Sequence, residues 1–453
     1  MKSRQIIFLL LLISALSAVS CKESSNPAGS EPFVFIPGPV IPTENIIMYE
    51  ILVRNFSQAG TFSGIIPRLD TLKAMGINTV WLMPIHPVGQ IKKNGTYGSP
   101  YAVKNYTAVN SEFGTLTDFK ILVNECHKRD MALVIDWVAN HTAWDNPWIT
   151  AHKNWYTQDG AGNIIIPAGT NWADVADLNF SNADMRREMI SSMKYWITNA
   201  GIDGFRCDAA DMVPDDFWKQ AIDSLKKVKN NLILLAEGAN STHFLSGFKL
   251  NYSWDFYGNL KNVFKNGYSA TNLTSSDKNE RSALPLDCFK LRFTTNHDET
   301  SWDAPPPFLF GGIPGAQAAS AATLAYGSVP LLYNGQETGV SVTQNIFEKS
   351  VIDWTKNRSM QTYYRQLLSF YKNSTAVKSG TIESFSTTHV LRIKRTTSAE
   401  TVIFIVNVRN STQPISFPAG LRSIAWKNVL TDQNFSDFDG NLSPYGVMIL
   451  QAE

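Results

Sequence analysis

Residues 204–208 read Gly-Phe-Arg-Cys-Asp and residues 232–237 read Leu-Ile-Leu-Leu-Ala-Glu, two short apolar runs that each end on a carboxylate. A run of this length bounded by polar residues is the mark of a strand buried on both faces, as the strands of a parallel sheet are. Six further runs of the same kind lie at 47–53, 78–83, 132–138, 250–254, 290–295 and 329–333. Longer amphipathic stretches separate them. In 117–129, for example, Phe119, Leu122, Val123 and Cys126 recur at three-to-four spacing with Lys and Glu on the other face, which predicts a helix. Eight strands alternating with helices fit a (β/α)8 TIM barrel, and a doubly wound open sheet would give the same alternation. The polar residues favour the barrel: Asn140 and His141, Asp208, Glu237, and 296–298 each follow a predicted strand directly. A barrel gathers those strand ends on one face.

Working outward, the connection after the third strand is too long for an ordinary loop and predicts a small inserted domain over 142–179. It carries Trp144, Trp148, Trp155 and Trp172; for the first three, packing of the insert outweighs sugar stacking. Beyond 374 the pattern changes to short alternating strands such as 390–395, 401–408 and 447–450. The barrel is therefore expected over 44–373 and an antiparallel β-sandwich over 374–453. At the other end, Lys2 and Arg4 precede an apolar stretch over 6–19 and a Cys21. That is a signal peptide over 1–20, with Cys21 where a bacterial lipobox places its acylated cysteine. Residues 21–43, rich in Ser, Pro, Gly and Asn, predict a flexible tether. The expected product is an exported bacterial lipoprotein attached to a membrane through Cys21, periplasmic or facing outward at the cell surface. Cys126, Cys207 and Cys288 are widely spaced and odd in number, which suits buried hydrophobes and no disulfide framework. A net charge of +1 offers no basic surplus for nucleic acid.

Cleaving a glycosidic bond takes two carboxyl groups, one ionised to attack and one protonated to release the leaving group. Arg206 stands two residues before Asp208, on the same side of the strand, and would keep it ionised. Glu237 closes an apolar run, where burial raises a carboxyl pKa toward that of a working acid. Neighbouring strands lie about 5 Å apart, which matches the roughly 5–5.5 Å carboxyl separation of a retaining, double-displacement mechanism.

DWVANH at 136–141, GFRCD at 204–208, AEG at 236–238 and TNHD at 295–298 resemble, in order, the four signature regions of the α-amylase family, glycoside hydrolase family 13. The resemblance implies Asp208 as nucleophile, Glu237 as acid/base and Asp298 as the third carboxylate that steadies the transition state. It implies that His141 and His297 grip the sugar, that Arg206 orients the nucleophile with Asp136 as its partner, and that Tyr101, in YGSPYAVKNY at 97–106, stacks beneath the sugar. His86 is a further candidate for the cleft. Asn105 departs from the family's usual Asp, and Asp211-Met212 stands where many α-amylases carry Lys-His. Asn140 and Asp177, in VADLNF at 175–180, resemble calcium ligands, so a structural calcium is left open while the chemistry itself requires no cofactor. The implied substrates are starch-like α-glucans or maltooligosaccharides. A transglycosylase or isomerase of the same family shares the covalent intermediate and stays open beside hydrolysis. A non-catalytic carbohydrate-binding relative is the reading from another class.

Overall fold

Every residue but Phe289 is buried in eight short strands: β1 (Met48–Ile51), β2 (Thr79–Leu82), β3 (Ala132–Val138), β4 (Gly204–Asp208), β5 (Ile233–Ala236), β6 (Leu250–Tyr252), β7 (Phe289–Arg292) and β8 (Val329–Tyr333). Burial on both faces is why they read as unbroken apolar runs. Each pairs in parallel with the next, and β8 returns to β1 with Leu331 opposite Met48. The sheet is thus a closed (β/α)8 barrel, and the open-sheet alternative falls. The computed structural model describes residues 33–436 and 438–453, and the chain divides into Met1–Val34 and Phe35–Glu453; the fold is that of the second unit. Cys21 and the signal peptide lie outside the described residues. Among the described residues no helix is long and apolar enough to cross a membrane.

The strand ladder stops sooner than the apolar runs do. Val53 and Trp254 already open helices, Val53–Phe56 and Trp254–Lys265, because apolar side chains still cover the core where inter-strand bonding has ended. The helix expected over 117–129 spans Leu116–His127. It starts at a capping box in which the Thr115 hydroxyl accepts from Asp118 N and the Asp118 carboxylate accepts from Thr115 N. Gly204 opens β4 because a Cβ there would lie 1.8 Å from the Ile233 carbonyl oxygen, so only glycine admits β5 at this distance.

Between β3 and β4 the chain makes an antiparallel pair, His141–Ala143 with Val175–Asp177, before the long helix Ala183–Ala200. Trp148 packs between Tyr106 and Trp155, and the Trp144 indole donates to the Ala173 carbonyl, so these three tryptophans hold the insert together. The C-terminal part is a six-stranded antiparallel sheet, ordered Thr381–Ser384, Val390–Thr396, Thr401–Asn407, Val447–Ala452, Trp426–Asn428, Gln433–Phe435. Alternation divides its faces: Val402, Phe404 and Val406 join the barrel core, while Ile403, Ile405 and Leu450 meet Ile415, Phe417 and Leu442. The second layer of the sandwich is accordingly only a two-stranded ribbon, Gln413–Pro414 with Asn441–Leu442, since the barrel already covers the other face. Cys126, Cys207 and Cys288 are free and buried.

The expectation of a flexible tether as far as residue 43 needs correction. Ile36 N donates to Asn124 Oδ1 at 2.9 Å, and the Ile36 carbonyl accepts from His127 Nδ1 at 2.6 Å. His127 Nε2 in turn meets Asp203 Oδ2 at 2.8 Å. The chain is therefore docked from Phe35 onward, at the end of the barrel where β3 and β4 begin. Apolar Ile36 and Ile41 among the Pro and Gly give it something to bury.

Candidate active site

Asp208 is the last residue of β4 and Glu237 the first after β5; Cys207 pairs with Ala236, and Glu237 N donates to the Cys207 carbonyl at 2.9 Å. The two carboxylates thus leave neighbouring strands at the same level. One guanidinium serves both. Arg206 Nη1 donates to Asp208 Oδ1 and to Asp136 Oδ1, each at 2.9 Å, and Nη2 lies 2.7 Å from Glu237 Oε1 in an ion pair whose alignment falls short of a hydrogen bond. The second oxygen of Glu237 accepts from Ala209 N at 2.6 Å. Ala209 makes that contact from the left-handed region, φ 44° and ψ 42°, a strained conformation for a residue with a Cβ and one that tends to be kept where a functional group must be aimed.

Behind this pair the side chains form one connected network. Asp136, fully buried on β3, accepts from Trp81 Nε1 and from the Tyr101 hydroxyl through its other oxygen, both at 3.2 Å. Tyr101 has a single proton to give, so its oxygen accepts from His297 Nε2, 2.6 Å away. His297 Nδ1 faces Glu50 Oε1 at 2.5 Å, and the carboxylate can only accept. Both ring nitrogens therefore carry protons. Asn296 caps the helix His297–Trp302, accepting from Glu299 N, and this fixes Asp298 in its first turn, 3.3 Å from His297 Nε2.

Tyr101, His141, Asp208, Glu237, His297 and Asp298 line one cleft of about 870 Å³, and Arg206 lies buried beneath them. The model of the α-amylase catalytic domain matches residues 34–163 and 169–372. This chain belongs to the α-amylase family. "Alpha-amylase 3" of Dictyoglomus thermophilum is 26% identical over 360 residues, which cover 71% of this chain and 70% of that protein. Among solved structures, the noncanonic maltogenic α-amylase AmyB of Thermotoga neapolitana superposes with a TM-score of 0.81 at 28% identity, covering 91% of this chain and 99% of that one. An α-amylase of Lactobacillus plantarum gives 0.80 at 25% identity, covering 90% and 99%. This α-amylase-family chain is a glycoside hydrolase.

Electrostatics in the α-amylase-family cleft follow from burial. Burial and then the adjacent Glu237 push the Asp208 carboxyl well above the usual range, against the pull of Arg206. Burial raises Glu237 too, with Arg206 opposing, and it raises Asp136 and Glu50. Arg206 favours the ionised form of Asp208, as expected from the sequence, but burial and Glu237 oppose it. Arg206 stays charged because Asp136 and Glu237 outweigh the cost of its burial. Burial opposes charge on His297 as well, but Asp298 and Glu50 raise it to about 9. His141, with no such partner, is pushed by burial down to about 4. The two histidines that line the cleft therefore stand in different states, one cationic and one neutral.

Three expectations move. His86 is not at the cleft: it is fully buried among Tyr106, Trp137 and Trp196, and burial pushes it down to about 4, a core histidine. Asn140, at the junction of β3 and the insert, and Asp177, on the insert, are not among the residues that line the cleft. The Asn140 carbonyl accepts from Leu178 N, its amide nitrogen lies 3.3 Å from His141 Nδ1, and Asp177 bonds Thr157. One carboxylate and one amide fall short of the six to eight oxygens calcium takes, and among the described residues no group of three or more His, Cys, Asp or Glu could hold a metal. Asn140 and Asp177 alone do not make a calcium site. Asp211, where the family's Lys-His is absent, is tied to His243 Nε2 at 3.1 Å and to Ala239 N at 3.2 Å.

Sequence reasoning also passed over residues that the fold brings in. Glu50, on β1, anchors His297 from inside the barrel; a lone Glu within an apolar strand was the available signal. Trp172 lines the cleft with its edge toward His141, ring centroids 5.4 Å apart, and Trp254, Trp302 and Phe347 line it as well.

Proposed function

We propose that the enzyme is a retaining hydrolase of α-glucans, acting on starch-like polymers or maltooligosaccharides. What carries this reading is the single guanidinium of Arg206 gripping both Asp208 and Glu237 at adjacent strand ends, because one bound sugar can then meet both carboxyls at once. Asp208 attacks the anomeric carbon, forming a C–O ester bond, as Glu237 gives its proton to the departing glycosidic oxygen. This needs Asp208 ionised, which Arg206 favours, and Glu237 protonated, which its burial favours. Glu237, now a base, takes a proton from water, whose oxygen displaces Asp208 from the anomeric carbon. Two inversions restore the starting configuration. Asp298 accepts from sugar hydroxyls and neutral His141 can donate or accept, while imidazolium His297, its two protons held by Tyr101 and Glu50, contributes positive charge beside them. Nucleophile and proton both come from the chain's own side chains.

Reducing-sugar release from maltooligosaccharides, followed by proton NMR of the newly formed reducing end, tests this. The α anomer is expected first, with the β anomer growing in only by mutarotation. The β anomer appearing first would rule out double displacement. An exported, lipid-anchored location is proposed alongside, resting on the basic and apolar start of the chain and on Cys21.

A further inference from the structure

At the mouth of the cleft Trp302 is 66% exposed, and Phe347 meets it edge to face with ring centroids 5.8 Å apart. Both line the catalytic cleft. An indole left in water gains nothing from folding, so its exposure inside a binding cleft points to a ligand. Neither ring is on a loose tip. Just before Trp302, Ser301 Oγ lies 2.7 Å from the Gln344 carbonyl, and just after it Asp303 pairs with Lys261 at 3.1 Å. Phe347 rests on Leu52, Met83, Tyr333 and Ile346, the same apolar cluster that supports Tyr101, and its carbonyl accepts from Tyr97 N at 3.1 Å. The two rings thus extend, as a pre-set wall, from the side of the cleft that holds Tyr101 and His297.

We infer that Trp302, backed by Phe347, is a stacking platform for a glucosyl ring of the substrate beyond the one at the cleavage point, and so sets a preference for longer chains. The inference rests on the proposed hydrolysis of α-glucans. A glucopyranose ring offers a flat C–H face that an indole covers without needing a hydrogen bond, and the rigid flanks mean that little entropy is lost on contact. Phe347, tilted 65° to the indole, fences the edge of that ring.

The test is kcat/KM along a series from maltotriose to maltoheptaose for the wild type, Trp302→Ala and Trp302→Phe. Trp302→Ala is expected to lose about tenfold on the longest substrates, the scale of one aromatic contact, and less than twofold on the shortest substrate that is cleaved; Trp302→Phe recovers most of the loss. Equal losses at every length, or no loss at any, overturn the platform while leaving hydrolysis standing. A wild type that cleaves no α-glucan overturns the proposed function and the platform with it.

Discussion

Asp208→Asn is expected to lower turnover on maltooligosaccharides by roughly four orders of magnitude or more, the scale seen when a covalent nucleophile is removed. The amide keeps the shape of the carboxylate and can still accept from Arg206 Nη1, so the contact at 2.9 Å survives and sugar affinity should change only a few-fold. Stability should hold or rise. A carboxyl whose folded pKa is raised above its unfolded value weakens the fold increasingly as pH climbs past about 4, and Asp208 is such a carboxyl; a neutral amide removes that cost. Steady-state kinetics together with calorimetric binding of a maltooligosaccharide check both halves. A loss of only a few-fold would remove Asp208 from the role of nucleophile.

Arg206→Met is expected to act on the fold as much as on the chemistry. Arg206 is fully buried and touches Asp136, Asp208 and Glu237. Without it these acids face one another with only the His297 imidazolium nearby, and breaking such a buried pairing typically costs about 3–5 kcal/mol. The acids respond by taking up protons, which raises their folded pKa values further. The deficit against wild type is therefore smallest below about pH 4, where the carboxyls become protonated in folded and unfolded chains alike, and it widens as pH rises to neutrality. Urea denaturation across that range measures it. A deficit independent of pH would mean that Arg206 acts by packing alone. Turnover falls as well, since Asp208 has then lost the charge that favours its ionised form.

Most of the barrel was readable in the chain because parallel strands buried on both faces leave unbroken apolar runs, and all eight runs correspond to barrel strands. Asp208 and Glu237 were readable because each ends such a run, so their convergence follows from closure of the barrel. What stayed hidden depends on contacts between distant segments. Glu50 looked like a blemish in a strand until His297 met it from β7's far end. Trp302 ends a six-residue helix and Phe347 lies in a loop 45 residues further on, and nothing local marks them as one surface. The upward push on the Asp208 carboxyl was hidden for a related reason: the helpful neighbour, Arg206, is two residues away in sequence, whereas the opposing ones, Glu237 and the apolar surroundings, arrive only with the fold. The overlong tether reading came from composition, which cannot register that Ile36 finds Asn124 and His127 to bond.

The most direct measurement is to trap the intermediate with a fluorinated α-glucosyl fluoride, whose slow second step lets the ester accumulate, and to locate the added mass by peptide mass spectrometry. The account predicts one glycosyl group on the peptide containing Asp208, and none on that peptide in Asp208→Asn. A label on any other carboxylate, or steady turnover of the reagent with no labelled peptide, would contradict it.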